Sequence, residues 1–218
     1  PRGLLRITTM VASGGFVTEL VLGFIARFPE VEVEVFSTSR TVNLEAEGFD
    51  VALRAGQLAD STLKARLLAR TRLVMVASPD YLALRGVPET KAALADHDCI
   101  VGSGGHEPGL WRMTDGSAVR VRARMRTNVL DMAVGAAVDG LGIARVPEQL
   151  VAPRVARGEL VELLPGALAG AGGIYVVYPP SRHLAAKVRA FVDYAAEWFD
   201  EGRLEVEAAR VDAATRRP

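Results

Sequence analysis

This sequence predicts an α/β fold of two lobes, with the chain crossing between them twice. Three observations lead there. Strand-like and helix-like segments alternate from residue 4 onward, the βαβ rhythm of a parallel sheet with helices on its faces. Half of the 218 residues are hydrophobic, enough for a sizeable core, and the length suits one large domain or two lobes of about a hundred residues each. No repeat, low-complexity linker or composition break separates sequential domains.

The elements follow in order. Leu4-Leu5-Arg6-Ile7-Thr8-Thr9 reads as a short buried strand, and Met10 to Gly15 as a small-residue loop. Phe16, Leu20, Phe24 and Phe28 recur every fourth position, a helix stopped before Pro29. Val31-Glu-Val33-Glu-Val35 alternates strictly, a strand with one solvated face. Leu44 to Gly48 reads as a short helix with a glycine end, and Phe49 to Arg54 and Arg72 to Ala77 as strands. Ser78 or Asp80 then caps or turns the chain. Lys91 to Ala95 reads as helical, Cys99 to Val101 as a strand and Gly102 to Gly109 as a glycine-rich loop. Leu110 to Met113 and Ala118 to Met125 read as strands around the turn Asp115-Gly116.

The most informative stretch runs from Thr127 to Pro147. Thr127 or Asn128 can cap a helix whose apolar face is Val129, Leu130, Ala133, Ala136 and Ala137. Gly140 and Gly142 end it, and Ile143 and Val146 begin a buried strand. Its N-terminus would offer free N–H groups to an anionic ligand; its plainer reading is a helix, a glycine turn and a strand of any α/β protein. Val151 to Ala156 reads as a helical turn, Leu160 to Leu163 and Ile174 to Tyr178 as strands, and Leu184 to Phe199 as an amphipathic helix. The crossings are placed near Ala77–Ser78 and Tyr178–Pro179. One lobe is then 1–77 plus 179–200, the other 78–178, and 201–218 a charged tail, frayed or disordered.

Several function classes fall away. Twenty-six Lys and Arg balance 26 Asp and Glu, so a net charge of zero argues against nucleic-acid binding by this chain alone. A single cysteine, Cys99, excludes an internal disulfide and a cysteine zinc site. His97, His106 and His183 are isolated and read as loop residues, so no metal and no cofactor is expected. No apolar run approaches a membrane span, and the start lacks a signal-peptide pattern. Opening on Pro1-Arg2-Gly3 without Met is expected of a piece of a longer protein. Val101-Gly-Ser103-Gly-Gly105 lacks the first glycine of a nucleophile elbow, and Gly140-Leu-Gly142 precedes a strand, the reverse of a dinucleotide fingerprint. No enzyme is expected.

Seven pieces then line up with one family. They are Gly3-Leu-Leu-Arg-Ile7; Phe24-Ile-Ala-Arg-Phe28-Pro29; Val31-Glu-Val-Glu-Val35; Phe49-Asp-Val-Ala-Leu-Arg-Ala-Gly56; Ala77-Ser-Pro-Asp-Tyr-Leu82; Gly140-Leu-Gly-Ile-Ala144; and the closing strand and helix. In order and spacing, from about residue 3 to about residue 200, the chain resembles the effector-binding domain of LysR-type transcriptional regulators, closest to the branch with the CrgA-like regulators. The resemblance implies two Rossmann-like lobes of periplasmic-binding-protein type II, a small-molecule effector between them, a homodimer or tetramer and a cytoplasmic home. It also implies DNA binding through an N-terminal winged helix-turn-helix, which this chain lacks. Family members pair through the first helix and second strand, which points to Phe16, Val17, Leu20, Val21 and Phe24 as the dimer interface. The rival readings are a solute-binding protein of a transport system and an enzyme on the same fold.

In open α/β sheets, ligands sit beyond the carboxyl ends of strands, near helix N-termini. That rule selects Thr9 and Ser13 after the first strand, Ser37, Thr38 and Ser39 after the second, and Arg54 and Gly56 on the third. In the second lobe it selects Ser103, Thr127 and Asn128. Ser13 has a capping role in any case, residues 37–39 suit ordinary turn chemistry, and Arg54 could hold a carboxylate bidentately or stay solvated. Arg120, Arg122, Arg124 and Arg126 alternate along one strand and read as a solvated face rather than an anion site. The expected effector is a small organic or aromatic acid.

Overall fold

The first strand, β1 (Gly3–Thr9), turns Leu5 and Ile7 into the core of its unit. The structure is a computed structural model that describes residues 1–9, 16–38, 40, 42–56, 62–103, 107–170, 172–181 and 184–201. Ser13, Ser39, His106, His183 and the tail from residue 202 lie outside the described residues.

Two units carry one five-stranded sheet each. The first takes residues 1–71 and returns from 172. Its strands are β1, β2 (Val31–Ser37), β3 (Val51–Gly56), β4 (Lys64–Thr71) and β12 (Gly172–Tyr178), in the order β2-β1-β3-β12-β4. The three earliest strands are parallel, and β12 runs antiparallel between β3 and β4. Helix α1 (Phe16–Arg27) follows the expected apolar spacing and stops before Pro29, which cannot continue a helix. Helix α5 (Ala186–Asp200) lays Val188, Phe191, Val192, Ala195, Trp198 and Phe199 against α1 and the sheet. Phe24 meets Phe191 edge to face at 5.1 Å, and Phe16 meets Phe199 at 5.6 Å. Burying one such ring stabilises by about 2–3 kcal/mol.

The residues expected at the dimer interface have a role within their own unit. Phe16, Val17, Leu20, Val21 and Phe24 are all buried in the core of their own unit. An α-helix has one apolar stripe, and here α5 and β1 already cover it. What α1 leaves exposed is Leu22 and Ile25.

The second unit takes residues 72–170 among the described residues, and its sheet order is β11-β5-β10-β6-β9. Those strands are β5 (Leu73–Ala77), β6 (Asp98–Gly102), β9 (Arg122–Thr127), β10 (Ile143–Pro147) and β11 (Val161–Leu163). Strands β10, β6 and β9 are parallel; β5 runs antiparallel between β10 and β11. Helix α3 (Leu130–Val138) covers one face with small residues, Ala133, Ala136 and Ala137, against Ala144 and Val146. The other face holds α2 (Pro79–Arg85), a 3-10 turn at Ala92–Asp96, and a hairpin of β7 (Leu110–Arg112) and β8 (Ala118–Arg120). A short helix α4 (Ala152–Ala156) precedes β11.

Other expectations shift. The crossings come six or seven residues earlier than read, because β5 belongs wholly to the second sheet and β12 wholly to the first. Strand β4 escaped the sequence reading; its Lys64-Ala-Arg-Leu-Leu-Ala-Arg-Thr71 has no alternation, as suits an edge strand with little to bury. Leu44 to Gly48 is a hydrogen-bonded turn, not a helix; Ala46 N–H donates to Asn43 Oδ1 at 3.1 Å. The arginine row is divided, with Arg120 in β8 and the other three in β9. His97 is no loop bystander: it is buried, with Nδ1 3.0 Å from the Tyr81 hydroxyl.

Candidate functional site

In the first unit the ends of β1, β2 and β3 gather the selected groups. Thr9 pairs in register with Ser37, and Thr38 N–H donates to Thr9 O at 2.9 Å. Thr9 and Thr38 are therefore side by side, as the strand-end rule requires. The hydroxyls of Thr8 and Thr9 are both buried and have no hydrogen-bond partner among the described residues. An unsatisfied buried hydroxyl costs about 1–3 kcal/mol, so two in succession mark a place where protein packing is not the whole purpose. Thr8 was missed in the sequence. The available signal was a pair of hydroxyls ending an otherwise apolar strand.

Thr38 is committed otherwise: its Oγ1 accepts from Arg40 N–H at 3.3 Å, and Arg40 forms a two-pronged ion pair with Glu47. Arg54 on β3 is half-buried, and among the described residues its one side-chain hydrogen bond is from Nη1 to the adjacent carbonyl of Leu53, at 3.2 Å. Burial pulls its pKa down, with no carboxylate offsetting the desolvation. The guanidinium stays charged all the same. A desolvated cation without a counter-charge is what an anionic ligand complements. Gly56 ends β3 at φ 104°, in the left-handed region, where it pairs with Gly173.

In the second unit, β6 and β9 end together, with Gly102 beside Thr127 and Ser103 N–H donating to Thr127 O at 2.9 Å. The cap differs from expectation. Val129 is the residue before α3 and carries no side-chain acceptor; Thr127 Oγ1 accepts from Val129 N–H at 3.0 Å. Thr127 is buried, whereas Asn128 and Ser103 are exposed. The first turn of α3 has no side-chain cap, but Asp131 sits in it and opposes an incoming anion. The second unit thus gathers Ser103, Thr127 and Asn128, and the first gathers Thr8, Thr9, Thr38 and Arg54. No group of His, Cys, Asp and Glu among the described residues has a metal-binding arrangement. Among them also, no helix is long and apolar enough to cross a membrane.

Comparisons with known proteins point one way. Residues 1–200 match the family described as the LysR substrate binding domain. The transcriptional regulator PtxR of Pseudomonas aeruginosa is 36% identical over 205 residues, covering 88% of this chain and 63% of PtxR. CrgA of Neisseria meningitidis serogroup C is 30% identical over 204 residues, covering 90% of this chain and 67% of CrgA. Among solved structures, the CrgA regulatory domain superposes with a TM-score of 0.76 at 28% identity, over 91% of this chain and all of that one. The regulatory domain of AphB from Vibrio vulnificus gives 0.73 at 29% identity, over 91% and all of that chain. The chain spans just under two thirds of the length of PtxR.

Proposed function

The chain belongs to the LysR substrate-binding domain family, and on that premise we propose that it is the effector-binding and oligomerisation half of a cytoplasmic LysR-type regulator. The relatives carry the names of transcriptional regulators, so neither the transport reading nor the enzyme reading is favoured. DNA would be held by a winged helix-turn-helix domain outside this sequence. The effector is a small organic or aromatic acid. The observation that carries this is at the strand ends of the first unit, where β1 ends in two buried hydroxyls without a partner among the described residues and the neighbouring β3 carries a desolvated Arg54.

In this reading Arg54 takes the carboxylate and the threonine hydroxyls orient the rest of the molecule. Gly56 is a further candidate contact in the first unit, and Ser103, Thr127 and Asn128 are the candidates within the second unit taken by itself. Binding shifts the protein between two arrangements by as much as the effector's affinity differs between them. The test is calorimetric titration with a panel of aliphatic and aromatic carboxylates. At least one acid should bind saturably, and Arg54→Gln should weaken it by roughly tenfold or more, the value of a charged hydrogen bond. Binding only of neutral or cationic compounds, or equal affinity in the Arg54→Gln protein, would remove the acid from the proposal.

A further inference from the structure

One more half-buried arginine lacks an anionic partner among the described residues. Arg145 lies on β10, where side chains alternate between the two faces of the sheet. Ala144 and Val146 pack under α3, and Ile143 joins the cluster on the opposite face. Arg145 shares the face of Ile143. Opposite it on β5 is Met75, and opposite Met75 on β11 is Leu163, both buried members of that cluster. A charged side chain is thus set in an apolar row.

Its guanidinium stacks over the indole of Trp111, with Cζ 5.8 Å from the ring centroid. Among the described residues it makes no hydrogen bond and no ion pair. Burial alone pulls its pKa down. Trp111 supplies a second, independent observation. The ring is fully buried, and its Nε1–H has no acceptor. Buried indole N–H groups ordinarily find one. Two unmet donors, one of them cationic, therefore lie against each other in the second unit, and Arg145 remains partly exposed, which leaves a path to solvent.

We infer that Arg145 and Trp111 form an oxyanion site within the second unit, separate from the strand-end group and taking a carboxylate or a phosphate. One oxyanion can accept a charge-assisted hydrogen bond from the guanidinium and a second bond from the indole N–H. The planar fork of Arg145 suits two oxygens of one ion, and the indole N–H completes its shell. The site does not depend on the effector reading, because Arg54 and the threonines play no part in it.

The chain has two tryptophans, Trp111 and Trp198. Its ¹H–¹⁵N spectrum therefore holds two indole signals, assigned with a Trp111→Phe protein, and Trp198 in the core of the first unit serves as the internal control. The protein is titrated with sodium acetate and, separately, sodium phosphate, at an ionic strength held constant with sodium chloride. We expect one of the two to move the Trp111 indole signal saturably while Trp198 stays still. Arg145→Lys, which keeps the charge and loses the fork, should weaken the apparent Kd by about tenfold, and Arg145→Met should abolish the shift. A shift that follows chloride equally, no shift with either ion, or unchanged affinity in Arg145→Lys would overturn the site. An Arg54→Gln protein that loses acid binding but keeps the Trp111 response would show the two sites failing independently.

Discussion

Thr8 and Thr9 set a stability cost against a binding role. Their hydroxyls are buried without partners among the described residues, and valine has nearly the same shape without the polar group. Thr8→Val or Thr9→Val should therefore stabilise the free protein by about 1 kcal/mol, read as a higher Tm, while Thr9→Val loses affinity for the acid. A lower Tm in both would mean the hydroxyls are satisfied after all. His97 makes a second residue-scale prediction. Burial, reinforced by Arg85, holds its pKa below the ordinary 6.5, against the opposing pull of Asp96 and Asp98. The folded state favours the neutral ring, whose Nδ1 can accept from Tyr81 Oη, while that oxygen accepts from Asp98 N–H at 3.0 Å. The unfolded chain binds the proton first as pH falls, so this contribution is complete above about 6.5 and is lost as pH falls toward the depressed folded value. Thermal melts between pH 7.5 and 5 should show Tm falling, and His97→Gln should flatten that slope. An unchanged slope would place the titration elsewhere.

At the scale of elements, what could be read was whatever had a strong period. The apolar spacing of α1, strand β2 and the glycine-ended helix α3 stand in the structure at their expected places, although the alternating burial of β2 lapses at exposed Val35. Edge strand β4 could not be read, because an edge with little to bury needs no alternation, and the crossing points followed from that omission. The candidate site was legible as positions, since strand ends collect ligands in this class of fold, but not as chemistry. Nothing in the sequence says that Thr38 is tied to Arg40, or that among the described residues Arg54 and Arg145 lack counter-charges while Arg122 has Asp98 at 2.8 Å. The glycine turn after α3 gives the sharpest element-scale test. Gly142 has φ 151°, and a Cβ there would stand 2.3 Å from the backbone oxygen of Asp98 at the start of β6. Backbone cannot swing aside as a side chain can. Gly142→Ala should destabilise by roughly 2–4 kcal/mol, measured by urea unfolding. Gly158→Ala, at a turn with open space around it, should cost less because only its positive φ opposes the change.

For the whole molecule, a net charge of zero conceals segregation. Strand β2 is one edge of the first sheet, and Glu30, Glu32 and Glu34 at and beside it are exposed. Strand β9 is one edge of the second sheet, and Arg122, Arg124 and Arg126 are exposed along it. Each edge repels a copy of itself and suits the other. We propose that a β2 edge of one copy pairs with a β9 edge of another. Exposed Val35 and Phe36, together with Leu22 and Ile25 of α1, supply apolar area that the buried residues of α1 cannot. Some acids and bases are already paired within the chain, Glu34 with Arg6 and Arg122 with Asp98, so Glu32, Arg124 and Arg126 are the informative positions. Arg124→Glu with Arg126→Glu should shift the protein toward monomer in sedimentation velocity, and adding Glu32→Lys should restore the dimer, because swapped signs attract as well as the original ones. Raising salt should weaken both dimers, since charges at a wet edge are screened within about 8–10 Å at ordinary ionic strength. If the double charge reversal leaves the dimer intact, or the compensating lysine fails to rescue it, the pairing runs through another surface, and the exposed apolar face of α1 becomes the one to mutate.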